Sequence, residues 1–157
     1  MPPQFLFDIS GIDLNQCIFG QNAIREMNPQ RGDMEHLNGI VYAEPSLGRI
    51  IGYKDVRHDE FWVAGHIPGR PLFPGVLMVE AAAQLSSLYT RKYEGWKGFI
   101  GFGGVDAVKF RAPVVPGKRL YLLGKKLWSR HRRICSKVQG IVDGGLVFEA
   151  EITGTEF

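Results

Sequence analysis

At 157 residues, with 45% apolar and 22% charged side chains, the chain is long enough for one domain with a full core and too apolar for disorder. Cys17 and Cys135 stand far apart at no metal or redox spacing, which reads as two reduced thiols of a cytoplasmic protein rather than a bridge. The net charge of +3 is modest, yet residues 91–140 hold 13 of the 19 Lys and Arg against two acids, Glu94 and Asp106. That asymmetry reads either as a surface for an acidic partner or as a solvated strand face, and no nucleic-acid motif accompanies it.

The opening "MPPQFLFDIS" has no basic segment ahead of a long apolar one, so no signal peptide is expected. No run approaches the roughly 18 apolar residues of a membrane span. "GQNAIREMNP" has Ile24 and Met27 at helical spacing and Pro29 to stop it, which predicts a short helix. In "GIVYAEPSLGRIIGYKDV", Ile40–Ala43 and Arg49–Tyr53 read as strands, with Pro45, Ser46 and Gly48 supplying the turn between them.

"GHIPGRPLFPG" follows, with three prolines and three glycines in eleven residues. Fixed proline φ values make it a rigid loop. Pro74 suits the first turn of a helix, and residues 74–89 are expected to form one. Apolar residues go all round that helix, which predicts burial on most sides. Four strand-like runs then follow: "FIGFGGVDAVKF", "RLYLLGKKLWSR", "RICSKVQGIVD" and "GLVFEAEITG", the last two joined by the turn signal "DGG". The order of elements predicts a single α+β domain over residues 1–157, an antiparallel sheet around one central helix.

One residue breaks the apolar helix. Glu80 has Val76, Leu77, Ala83 and Gln84 at its neighbouring turns, none of them cationic, so local pairing is absent. A carboxyl in such surroundings pairs elsewhere, takes up a proton, or costs stability. A protonated one serves as a general acid, and Gln84 is placed to orient it. His66, fourteen residues earlier, offers the complementary base. The free amides at Gly75 and Val76 suit an oxygen gaining negative charge. Base, acid and oxyanion site together fit removal of a proton beside a carbonyl with loss of a β-hydroxyl. Taken singly, each residue also has a bland reading: a solvated histidine in a proline-rich loop, and a glutamate at a rim.

The stretch "GHIPGRPLFPGVLMVEAAAQ" closely resembles the signature of the (3R)-hydroxyacyl-acyl-carrier-protein dehydratases, and "GGVDAVKFRAPVVPGKRL" is similar to a second block of that family. The resemblance runs from about residue 20 to the C-terminus and implies the hotdog fold. It implies that His66 removes the α-proton of an acyl thioester, that Glu80 protonates the departing hydroxyl, and that the Gly75 N–H binds the thioester oxygen. It implies a homodimer, or a trimer of dimers, whose sites take His66 from one chain and Glu80 from the other. Trp62, Phe73 and Phe102 would then line the acyl tunnel, with core packing as the competing role. An acidic acyl carrier protein would explain the basic stretch around Lys109, Arg111 and Arg119. Glutamate rather than aspartate at position 80 points to the branch that does not also isomerise the double bond.

Upstream the chain departs from the family. Pro29 and Arg31 stay, but Gln30 stands where a histidine is usual, Asn38-Gly39 where Asp-Arg is, and Lys118 where an acid is common. These changes spare the catalytic pair and leave housekeeping or specialised lipid or polyketide synthesis open. A thioesterase of the same fold and a non-catalytic acyl-binding subunit are the competing functions. "GFGGVD" lacks the third glycine and the following helix of a nucleotide loop. His36, His58, His66 and His131 show no metal-ligand spacing, so neither metal nor cofactor is expected.

Overall fold

The computed structural model describes residues 4–157; residues 1–3, which begin the stretch read as lacking a signal peptide, lie outside it. Helix α1 spans Gln21–Met27, strand β1 Gly39–Glu44 and strand β2 Arg49–Asp55. Helix α2 spans Gly75–Tyr93, followed by β3 Ile100–Phe110, β4 Arg119–Arg130, β5 Arg133–Val142 and β6 Gly145–Glu156. The strands form one antiparallel sheet in the order β1-β2-β4-β5-β6-β3, curled around α2 in the expected hotdog arrangement. Asp143 and Gly144, at φ of 50° and 79°, make the tight β5–β6 turn, the two positive values that such hairpins require.

Strand alternation sends Ile50, Leu120, Leu122 and Phe148 inward, where they meet Met78, Ala81, Leu85 and Leu88 of α2. Burying each such side chain stabilises the fold by roughly 1.5–3 kcal/mol. The opposite parity, Val41, Ile51, Leu123 and Ile141, forms a second apolar layer on the outer face. Residues 4–14 cross that face as a strap. Phe5, Phe7 and Leu14 cover the layer, Leu6 N donates to Gln139 Oε1 at 2.8 Å, and Gln139 Nε2 donates to Gln4 O at 3.0 Å. Nothing periodic in the first forty residues marks this strap, because it follows another element's surface instead of building its own.

Two expectations about α2 need correction. The helix continues a full turn past residue 89, to Tyr93, before Glu94 and the left-handed Gly95 end it. Tyr89 packs on Tyr93 one turn on, and Arg91 and Lys92 sit favourably in the last turn. The helix is also not buried on most sides. Val76 is 74% exposed, and Leu77, Val79, Ala83, Ser86 and Ser87 are half-buried in the single chain. An apolar flank therefore stays open beside the edge strand β3. Cys17 is exposed and Cys135 buried, both as free thiols. Among the described residues no helix is long and apolar enough to cross a membrane.

Candidate active site

The segment that carries the proline-rich loop is anchored at its two ends by backbone bonds to the segment after β3. Val56 N donates to Lys118 O at 3.0 Å and Gly117 N to Val56 O at 2.7 Å, and Phe73 N donates to Val114 O at 2.7 Å. Within the loop, His66 N donates to Trp62 O at 2.8 Å. Its ring Nδ1 lies 2.7 Å from Leu72 O. A carbonyl only accepts, so Nδ1 carries a proton, and in the neutral ring Nε2 then keeps its lone pair. The next residue, Ile67, sits at φ 61°, a left-handed conformation that costs a β-branched residue about 1–3 kcal/mol. Backbone strain beside an exposed histidine is what a functional loop shows.

Gly75 opens α2 next to this ring. Neither its amide nor that of Val76 has a protein acceptor among the described residues. A Cβ at Gly75 would lie 2.8 Å from Phe110 Cε1, so a side chain there would displace the ring that walls the site. His66, Gly75, Val76, Phe110 and Arg111 share one open cleft.

Glu80 sits about 7.5 Å further along the helix axis, at 1.5 Å per residue. It faces a different cavity, of about 190 Å³, with Ala83, Ser87, Phe99 and Phe102 among its walls. Gln84 determines how the carboxyl is held. Its Oε1 accepts the His36 N–H at 2.9 Å, so its Nε2 must point the other way. That nitrogen donates to Met34 O at 2.7 Å and to Glu80 Oε1 at 2.9 Å. The amide cannot flip without breaking all three bonds, which leaves Glu80 Oε2 as the oxygen open to a reactant.

A FabA-like domain matches residues 28–151, a span that holds His66, Gly75, Glu80 and Gln84. The chain belongs to the FabA-like family. It is 36% identical over 130 residues, 82% of its own length and 91% of the relative's, to the 3-hydroxyacyl-[acyl-carrier-protein] dehydratase FabZ of Ruminiclostridium cellulolyticum. Among solved structures it is similar to the dehydratase heterocomplex ApeI:P from Xenorhabdus doucetiae, with a TM-score of 0.71 at 14% identity over 85% of this chain and 90% of that one. A second is Cj0977, a sigma28-regulated virulence protein from Campylobacter jejuni, with a TM-score of 0.67 at 16% identity over 93% of this chain and 96% of that one. Both likenesses show the hotdog fold.

Within this FabA-like chain the expected site residues divide. Trp62 and Phe73 are buried against each other, ring centroids 5.5 Å apart, and show the clefts near His66 only an edge. Phe102 is exposed and walls the Glu80 cavity. Among the expected cations, Arg111 pairs with Glu149 while lining the His66 cleft, and Lys109 is exposed two residues before it. Arg119 lies on β4, with β5 and β6 between it and β3. There it pairs with Asp55 at 2.7 Å and stacks 3.9 Å over the Tyr53 ring. The three do not form one patch.

Of the other residues at the site, Asn28, Lys54 and Glu60 had no part in the sequence expectations, while Gln30 and His36 entered them only as a departure from the family and as a histidine without metal spacing. Gln30 borders the Glu80 cavity with its Oε1 buried and unpartnered. Asn28 Nδ2 donates to Gln84 O at 2.9 Å, tying α1 to the turn of α2 that carries Glu80. Beneath the His66 loop lies a buried polar group, His36, Lys54 and Glu60. Its legible signal was strand parity: Ile50 and Gly52 point inward, and Lys54 follows in the same register.

Proposed function

We propose that this chain dehydrates (3R)-3-hydroxyacyl thioesters on acyl carrier protein to trans-2-enoyl thioesters, in fatty-acid or related lipid biosynthesis in the cytoplasm. His66 Nε2 takes the α-proton while the Gly75 amide binds the thioester oxygen as it gains enolate charge. The bond from the β-carbon to its hydroxyl breaks, Glu80 supplies a proton, and water departs. The proton on His66 then returns by way of solvent to Glu80, so the step balances without cofactor or metal. The observation that carries the reading is the pair of prepared groups: an imidazole with Nε2 free and a carboxyl with Oε2 free, each held by a neighbour's hydrogen bond.

In one chain those groups face separate cavities. A homodimer that pairs β3 with its symmetry mate supplies the missing half. β3 is a sheet edge, most of it is exposed, and Phe99, Phe102 and Val105 lie bare beside the open flank of α2. Such an edge is a template for another strand. Each site would then take His66 from one protomer and Glu80 from its partner. Exposed Lys109, and Arg111 on the rim of the His66 cleft beside its partner Glu149, would meet an acidic carrier; Arg119, paired with Asp55 on β4, is separated from them by two strands.

Hydration of a crotonyl thioester, the reverse reaction, tests the activity through loss of enoyl absorbance. Turnover without free thiol is the expected result. Thiol release identifies a thioesterase, and binding without turnover an acyl-binding subunit.

The cavity beyond Glu80 is bordered by Ala83, Ser87 and Thr90, a strip of small side chains about 10 Å long at 1.5 Å per residue. Acyl chains extending past the β-carbon would lie along it. Ser87→Phe is expected to lower kcat/KM on a ten-carbon substrate by about 10–100-fold while leaving the four-carbon one within about threefold, by the cost of lost tail contacts. Equal losses on both substrates would place the tail elsewhere.

A further inference from the structure

Lys54 is buried almost completely, 1% exposed on the inward face of β2. Its ammonium lies 2.5 Å from Oε1 of Glu60, whose side chain is 5% exposed. The second Glu60 oxygen accepts the Arg57 N–H at 2.8 Å. On its other side the ammonium stands 5.6 Å from the centre of the Phe73 ring. A buried ion pair is seldom more stabilising than an apolar pair of the same volume, because both charges lose their water. Stability alone does not account for this one. What it touches offers an account.

Glu60 comes six residues before His66 and Phe73 seven residues after it. Glu60 begins the turn in which Val63 N donates to Glu60 O at 3.1 Å and His66 N to Trp62 O at 2.8 Å. Phe73 directly follows Leu72, whose carbonyl holds the imidazole Nδ1. Trp62 and Phe73 also pack together, so the two arms of the loop meet over the same ammonium. Solvent reaches His66 freely in the single chain, and among the described residues its hydrogen-bond partners, Trp62 O and Leu72 O, both lie on these arms.

We propose that Lys54 is a positioning residue for His66: one buried ammonium on β2 fastens both ends of the 60–73 loop, through Glu60 and through the Phe73 ring, and so keeps Leu72 O on Nδ1 and Nε2 toward the substrate. The proposal rests on the assignment of His66 as base, but its geometry is testable apart from catalysis. A misplacement of about 1 Å at a reacting group costs on the order of 10²-fold in rate.

The informative variant is Lys54→Met/Glu60→Gln, which removes both charges and leaves no unpaired ion in the core. In the wild-type protein, ¹⁵N spectra of the imidazole are expected to show His66 as the Nδ1–H tautomer. In the double variant they should show a mixture weighted to Nε2–H, the form that an unrestrained imidazole prefers. With a crotonyl thioester, kcat should fall about 10–100-fold with KM within about threefold, the mark of lost alignment rather than lost binding. Lys54→Arg, which keeps the charge over Phe73 and beside Glu60, should restore most of both signals. A double variant that stays folded with Nδ1–H His66 and unchanged kcat overturns the proposal. Hydrogen exchange on the wild-type protein covers the case in which the double variant does not fold. The His66 and Phe73 amides are expected to open together, and independent opening rates would overturn the clamp. A wild-type protein with no hydratase activity would refute the functional reading, while the tautomer and exchange results still decide the clamp.

Discussion

His66→Ala and Glu80→Gln are each expected to lower the kcat of crotonyl-thioester hydration by about 10²–10⁴-fold, the usual contribution of a positioned acid or base. Both variants should fold. His66 is exposed, and its loss strips a hydrogen bond only from Leu72 O. In Glu80→Gln the new amide oxygen can still accept from Gln84 Nε2, as Glu80 Oε1 does. The sharper result comes from mixing. If each site takes one residue from either protomer, a dimer of one His66→Ala and one Glu80→Gln chain has one dead site, with both defects, and one intact site. Unfolding an equal mixture and refolding it at random makes half the dimers mixed, so about a quarter of wild-type activity should return from two inactive proteins, as twofold symmetry requires. No recovery, with mixed dimers demonstrated, would put both groups in the same chain's site. Activity kept in either single variant would remove that residue from the mechanism.

Much of this site was legible in the sequence because its chemistry is local. The loop and the helix start are contiguous, and Glu80 and Gln84 are one turn apart, so residue type and spacing carried them. The strands of residues 100–156 were equally plain, since alternation and the Asp143-Gly144 turn act within a few residues. What could not be read was non-local. Glu80 stands where the α2 flank is open, a fact that depends on which side of the helix the sheet leaves uncovered. The all-apolar pattern suggested burial because it does not distinguish a helix enclosed on every side from one with an open apolar flank. The strap of residues 4–14 takes its conformation from the outer face of β2, β4 and β5, so its own sequence has no period to detect. Lys54 lies between these cases. Its parity placed it inward beside Ile50 and Gly52, but only the fold brings Glu60 and Phe73 around it.

Acid is expected to destabilise the protein through His36, in a window that carboxylates do not explain. The ring is fully buried, neither nitrogen has a hydrogen-bond partner among the described residues, and it packs 6.0 Å from the Phe73 ring. Burial, and then the positive charge of Lys54, hold its pKa down from 6.5 to about 4, with Arg57 acting the same way and Glu60 and Asp33 opposing. In the unfolded chain His36 titrates near its ordinary value of about 6.5. Above that value it is neutral in both states and contributes no pH dependence. Below it the unfolded chain binds a proton that the folded one refuses, so stability falls with pH until the folded pKa of about 4 is passed. The loss accumulates to about 3 kcal/mol, of which about 2 kcal/mol falls between pH 6.5 and 5. Two carboxylates act lower down. The hydrogen bond from Arg25 lowers the pKa of Glu35, and at Glu149 burial pulls upward but Arg111 and Lys137 outweigh it. Both therefore add their losses only below the ordinary carboxylate range. Between pH 6.5 and 5 the Tm should drop by about 4–8 °C in a chain of this size, and His36→Phe should remove most of that slope. Charging His36 also places a second cation beside Lys54 and strains the segment whose amide holds Gln84 Oε1. The same proton thus loosens the supports of both His66 and Glu80, and in the wild-type protein activity should decline over this window ahead of global unfolding. A His36→Phe protein with the wild-type slope would move the acid sensitivity to another group.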